Sequence, residues 1–214
     1  MSVSGNLIAY AHFIKEDVRE VSTKEEYFNF ILNEDNNYII NIKPEYRNLL
    51  EGKITLPSKH NNKDIIEIGN FKDCLKITHV YCQNNNKYKI VGDKAFTNCI
   101  NLKHIDLSDN IEIIGERAFG VEVDYSASMS LKMEKLPSKL KEIRDYAFYN
   151  GGTGISIAKI PDEVTTIPNW CFAYCPFVRI EDFGTSQNSM LSTINQAAFY
   201  EAGTQGGTDG KGVT

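Results

Sequence analysis

The apolar positions of this chain fall into repeating phrases. Six phenylalanines, Phe71, Phe96, Phe119, Phe148, Phe172 and Phe199, stand 25, 23, 29, 24 and 27 residues apart. Five of them directly follow a small residue: Ala95, Ala118, Ala147, Cys171 or Ala198. Four residues before each small residue stands Val91, Ile114, Ile143, Ile167 or Ile194, and three earlier again Tyr88, Ile111, Leu140, Val164 or Leu191. A period in the twenties, kept in phase over five copies, predicts a solenoid in which each copy is one coil.

A second phrase precedes each of these. "ITHVYC" (77–82), "LKHIDL" (102–107) and "ISIAKI" (155–160) share the order apolar-x-x-apolar-x-apolar, and Leu56, Leu136 and Ile160 are each followed by proline. The closing alternation predicts a short strand with one face buried, stopped by proline or a polar turn. In this register His79, Tyr81, His104, Asp106, Ile157 and Lys159 point outward. "FVRIEDF" (177–183) admits two registers, which adds either Arg179 or Ile180, together with Asp182. In "SLKMEKLP" Glu134 falls where an inward apolar residue is expected, so a bulge or register shift is expected there. His79 and His104 hold the same position of successive strands, about 5 Å apart.

The composite unit is L-x-x-I-x-L-P-x-x-h-x-x-I-G-x-x-A-F-x-x-C, h being any apolar residue, with a degenerate copy "IGNFKDC" at 68–74 that lacks two residues. It resembles the BspA-type (Treponema pallidum-type) leucine-rich repeat family over about residues 52–200. The resemblance implies an α/β repeat protein, a leucine-rich-repeat solenoid with one short parallel β-strand per coil. The phenylalanines then fill each cross-section, and the cysteines of F-x-x-C (Cys74, Cys99, Cys175) serve packing rather than chemistry.

Solenoid ends need covers. Residues 1–50 are expected to form a small α+β N-terminal cap or docking segment before the solenoid of 51–214. Ser22 or Thr23 is the expected N-cap, Ser22 with Glu25 has capping-box spacing, and Tyr27, Phe28, Ile31 and Leu32 form a helical stripe. "NYIINI" (37–42) is a strand candidate. After Phe199 the glycine-rich "YEAGTQGGTDGKGVT" echoes "YNGGTGISIAKIP", so about six coils are expected, with a C-terminal edge where a seventh strand would begin.

Composition narrows the chemistry. The 214 residues are 42% hydrophobic and 24% charged, with a net charge of −5 and no dense basic block, which speaks against a nucleic-acid partner. No basic segment precedes the short apolar stretch at the N-terminus, and no apolar run approaches a membrane span; neither a signal peptide nor direct membrane insertion is expected. The five cysteines lack metal-type pairing (Cys171 and Cys175 read C-x-x-x-C), so buried thiols are expected and no metal or cofactor. In "GTQGGTDGKGVT" the phosphate-loop spacing fails at Gln205 and at Gly212. The four histidines are scattered, no G-x-S-x-G element occurs, and no catalytic residues are assigned.

The outward strand residues are therefore the expected functional surface, since Tyr and His combine contact area with a polar tip. Members of the resembled family are commonly implicated in adhesion, which implies a non-catalytic scaffold binding a protein on a host or neighbouring cell. The alternative is a structural component of a larger particle, such as a bacteriophage tail, fibre or head-decoration protein, bound to other subunits. Without a signal peptide, attachment would be to the cell surface by a non-classical route, or within a virion.

Overall fold

The phenylalanine repeat is a column of rings. In the computed structural model, which describes residues 23–83, 87–122, 128–184 and 187–203, the centroids from Phe71 through Phe96, Phe119, Phe148 and Phe172 to Phe199 follow one another at 5.6, 5.8, 5.4, 5.1 and 5.4 Å with near-parallel planes. This is the offset-stacked spacing that aromatic quadrupoles favour. All but Phe199 are fully buried. Each coil spans too little width to cover its own ring, so the next coil supplies the cover.

A backbone ladder runs beside the rings. The amide of each anchor donates to the carbonyl of the small residue one coil on: Phe71 to Ala95, Phe96 to Ala118, Phe119 to Ala147, Phe148 to Cys171 and Phe172 to Ala198, at 2.7–2.9 Å. Residues two before and two after the anchor donate in the same direction, as Tyr146 does to Asn169 (2.9 Å) and Tyr174 to Tyr200 (2.8 Å). The residues two before the five later anchors have positive φ: Lys94 (58°), Arg117 (52°), Tyr146 (61°), Trp170 (55°) and Ala197 (55°). Alternating right- and left-handed residues turns successive amides toward one neighbour, and so joins the coils without a strand. Each left-handed side chain costs roughly 1–2 kcal/mol.

The other two sides of the coil are strands. One parallel column contains Lys63–Ile68, Ile90–Val91, Ile113–Ile114 and Glu142–Ile143, and Thr166–Ile167 pairs with Thr193–Ile194 in the same parallel sense. The other column contains Gly52–Leu56, Ile77–Cys82 and His104–Ile105 as one sheet, and Lys132–Met133, Gly154–Lys159 and Val178–Asp182 as a second. The expected single strand per coil is thus accompanied by another, made by the Val or Ile four residues before the small residue. Close approach there explains Gly115, where a Cβ would lie 2.5 Å from the Asp93 amide nitrogen.

The two sheets of the second column differ in register. In the first, Val80 pairs with Ile105, both buried and both two residues before the strand-closing Cys82 and Leu107. In the second, Met133 and Ile157 are buried at the place three, not two, residues before Leu136 and Ile160. Glu134 and Ala158 take the outward place instead. The shift expected at Glu134 is present and carries into the following coil. It overturns the outward reading of Ile157, which is fully buried and pairs with Ile180. A slip of one residue reverses every side chain of a strand.

The cap also departs from expectation. Glu25–Tyr27 is a single 3₁₀ turn, and Phe28–Leu32 pairs antiparallel with Tyr38–Ile42. No α-helix occurs among the described residues. The stripe Tyr27, Phe28, Ile31, Leu32 loses to the alternation Phe28/Phe30, since Phe28 is buried and Ile31 and Leu32 are exposed. Asn33 closes the hairpin, its side-chain carbonyl accepting the Asn37 amide at 2.9 Å, with Asn36 at φ 63°. The Thr23 hydroxyl accepts the Thr55 amide at 2.9 Å, tying the cap to the first coil in place of capping a helix. Ser22, His12 and residues 204–214 lie outside the described residues.

All five cysteines are buried, unpaired thiols. Those of Cys99 and Cys175 donate to the carbonyls of Phe71 (3.2 Å) and Phe148 (2.9 Å). Ile194, expected to point inward like its counterparts, is 53% exposed. It belongs to the last described coil, where no further coil covers it.

Candidate binding face

Parallel pairing brings His79 opposite His104, and the i, i+2 alternation puts Tyr81 on the same face as His79. The three rings form a triangle, with centroids 6.1 Å apart for His79–His104 and Tyr81–His104 and 6.2 Å for His79–Tyr81. Tyr81 and His104 are exposed, whereas His79 is partly covered and its Nδ1 lies 2.9 Å from the Thr78 hydroxyl. Burial holds His79 below its ordinary pKa of 6.5, and the charges of Lys53, His104 and Lys103 push the same way. Cys82, beneath the strand, is pushed up to about 12 by burial and then by the Asp106 charge. Asp106 is half-buried beside the rings.

A cleft of about 560 Å³ adjoins them, lined by His79, His104 and Asp106 together with Lys103, Lys132 and Glu134. It lies where the first sheet gives way to the second, and the Lys132 amide donates to the Lys103 carbonyl across that join at 3.1 Å. The register slip is what turns Glu134 into its wall. Of the residues read from sequence as outward, His79, Tyr81, His104 and Asp106 thus come together. Lys159 belongs to the second sheet and pairs with Asp162 at 2.6 Å, and Ile157 is in the core. Arg179 and Glu181 are the exposed residues of their strand, while Ile180 and Asp182 are half-buried.

A second concentration of rings lies on the turn side of the coils and was not anticipated. Tyr146, Tyr149, Trp170, Tyr174 and Tyr200 contact one another, with adjacent centroids 5.4–6.5 Å apart. The Arg117 guanidinium covers the Tyr146 ring at 4.1 Å. The signal was in the sequence: "DYAFYN", "NWCFAY" and "QAAFYE" carry aromatics at the variable places around the anchor.

Among the described residues, no three His, Cys, Asp or Glu side chains converge as a metal site. No helix of the described residues is long and apolar enough to cross a membrane.

The model of the BspA type leucine rich repeat region matches six copies in this chain, over residues 48–178 and 124–205. A leucine-rich cell surface protein from Faecalibacterium prausnitzii A2-165 has a similar solved structure, with TM-score 0.62 and 22% identity, over 83% of this chain and 45% of that one. A leucine-rich repeat protein of T. pallidum is similar at TM-score 0.55 and 21% identity, over 81% of this chain and 86% of that one. These likenesses establish the fold. This chain therefore spans under half the length of the F. prausnitzii protein. No curated protein sequence matches it significantly.

Proposed function

The chain belongs to the BspA-type leucine-rich repeat family, and from that premise we propose that it is a non-catalytic adhesion scaffold whose contact surface is the face around His79, Tyr81, His104 and Asp106. Leucine-rich repeat chains are protein-interaction scaffolds, and the proposal adds which surface makes the contact and what it meets. The observation that carries it is the ring triangle beside the cleft. Three aromatic side chains stand together, outside the core, in strands whose inward residues are packing hydrophobes. Clustered rings with polar tips beside charged groups are the usual make-up of an interaction hot spot. A neutral His79 lets such a contact desolvate cheaply near neutral pH.

The expected partner is a protein displayed on a host or neighbouring cell. The resemblance to a structure described as a cell surface protein supports this choice over a virion subunit. No feature of the face favours the virion reading.

The test is cross-linking mass spectrometry of the chain in its native source, followed by capture with the Tyr81→Ala/His104→Ala double variant. An adhesin gives cross-links that map to the strand face and change with the host extract supplied. The double variant then loses the cross-linked protein without a change in melting temperature. Undiminished capture by the double variant would refute the choice of surface.

A further inference from the structure

The cap ends the two strand columns differently. In one, Gly52–Leu56 is the outermost strand, and its Thr55 amide is taken by the Thr23 hydroxyl at 2.9 Å. In the other, Phe28–Leu32 is outermost, and its outer backbone groups are open. We propose that this edge is a second binding site, independent of the face around His79, that takes an extended segment of a partner protein as an added β-strand.

The hydrogen bonds define what the edge offers. The Tyr27 carbonyl accepts the Lys43 amide at 3.0 Å, and the Asn33 amide donates to the Asn37 carbonyl at 2.9 Å. Opposed residues of an antiparallel pair alternate between bonded and non-bonded. Asn29 and Ile31 therefore bond to Tyr38–Ile42, while Phe28, Phe30 and Leu32 turn their backbone outward. The Phe28 amide closes the 3₁₀ turn on the Glu25 carbonyl. The amides and carbonyls of Phe30 and Leu32 have no partner among the described residues. Donors and acceptors in this extended spacing are the complement of another extended backbone.

The edge also lacks the usual guards. Lysine, proline or a bulge commonly keeps an outermost strand from pairing. Gly52–Leu56 carries Lys53. Phe28–Leu32 reads FNFIL, with no charge, proline or glycine, and its register with Tyr38–Ile42 is unbroken. It is held in place from beneath: Phe28 packs on Phe71 with centroids 6.0 Å apart, and Phe30 is stacked on His60 at 3.9 Å. The strand is thus ordered before a partner arrives, which spares the complex that entropy.

Side chains narrow the occupant further. Ile31 and Leu32 are 48% and 45% exposed. Being consecutive, they point to opposite faces of the strand. A globular surface laid on one face reaches one of them; a strand in the plane of the sheet flanks both. The edge has five residues and is about 17 Å long. Two folded copies meeting along it alone fall short of the roughly 1,200 Å² buried by a stable interface. One extended segment, rich in β-branched residues, therefore fits this edge better than a second copy of the chain.

The probe is a dye-labelled peptide of alternating threonine and valine, flanked by serines, whose fluorescence anisotropy is followed as the full chain is added. Saturable binding is expected, weakened at least about tenfold when alternate backbone nitrogens of the peptide are methylated and cannot donate. Leu32→Pro deletes an outward donor and leaves the bonds to Tyr38–Ile42 in place, and it should weaken binding as much. Ile31→Lys, a guard of the usual kind, keeps the test valid should Leu32→Pro not fold. The Tyr81→Ala/His104→Ala variant should bind the peptide undiminished, which separates this site from the strand face. No binding, equal binding of the methylated peptide, or undiminished binding by the edge variants overturns the assignment. So does dimerisation of the free chain in analytical ultracentrifugation that the edge variants abolish, since the occupant is then a second copy.

Discussion

Phe28 of the cap meets Phe71 of the first coil edge to face, with centroids 6.0 Å apart and planes at 61°, whereas every later pair in the column is near parallel. The cap thus ends the ring column by changing its geometry. A parallel ring at that place would present another open face, while an edge-on ring covers Phe71 and is itself covered by the hairpin, leaving Phe28 3% exposed. Phe28→Ala should uncover the column and lower stability, and Phe119→Ala, sandwiched between two rings, should cost about 3–5 kcal/mol. Urea denaturation of both variants checks this, with Phe28→Ala expected toward the lower end of that range because its ring is packed on one side of the column only.

Gly151 is held by space. A Cβ there would lie 2.2 Å from the Phe119 carbonyl oxygen and 2.6 Å from that of Phe148. Both atoms are backbone and belong to the stacked turns, so neither yields without moving a coil. Gly151→Ala should destabilise by about 1–3 kcal/mol, read as a lower denaturation midpoint with an unchanged m-value.

Ala197 is the one small residue in the left-handed row, at φ 55°. Ala197→Gly removes the steric penalty of that conformation, against the added freedom of glycine in the unfolded chain. A net gain of about 0.5–1 kcal/mol is expected, visible as a higher melting temperature.

His79 should titrate below 6.5 and below an unperturbed histidine, since burial and the neighbouring cations disfavour its charged form. The unfolded chain then takes up the proton first. As pH falls through 6.5 this residue's contribution turns destabilising, and above that pH it contributes nothing. Proton NMR of the imidazole checks the midpoint, and Lys53→Ala should raise it by removing the second-largest cause of the depression.

The buried thiols should be inert in the folded state. Burial pushes Cys175 up to about 12 despite amide contacts from Gly151 and Gly152 that act the other way, and the thiolate is the reacting form. Alkylation with iodoacetamide at pH 8 should label none of the five cysteines until denaturant is added; labelling that precedes unfolding would contradict this packing.

Much of this molecule was legible because a solenoid is local. Phe96, Ala95, Val91 and Tyr88 repeat their roles from coil to coil up to Phe172, and a residue that must be buried in copy after copy cannot vary freely. The same logic placed His79 beside His104, since neighbouring strands in one register bring like positions together. It failed at the cap, where a single copy of "YFNFIL" satisfies a helical stripe and a strand alternation equally; pairing with Tyr38–Ile42 and burial of Phe28 on Phe71 settle it as strand.

The periodic positions of the chain, then, carried the coil, its ring column and its buried thiols, because each is a short-range pattern multiplied by stacking. Folding in three dimensions added whatever depends on how one coil sits on the next. The one-residue slip that buries Ile157 and turns Glu134 toward the cleft begins where the first sheet of that column gives way to the second. The groove of Tyr146, Tyr149, Trp170 and Tyr174 unites residues up to 28 positions apart, and only the left-handed turns that stack them bring their rings onto one surface.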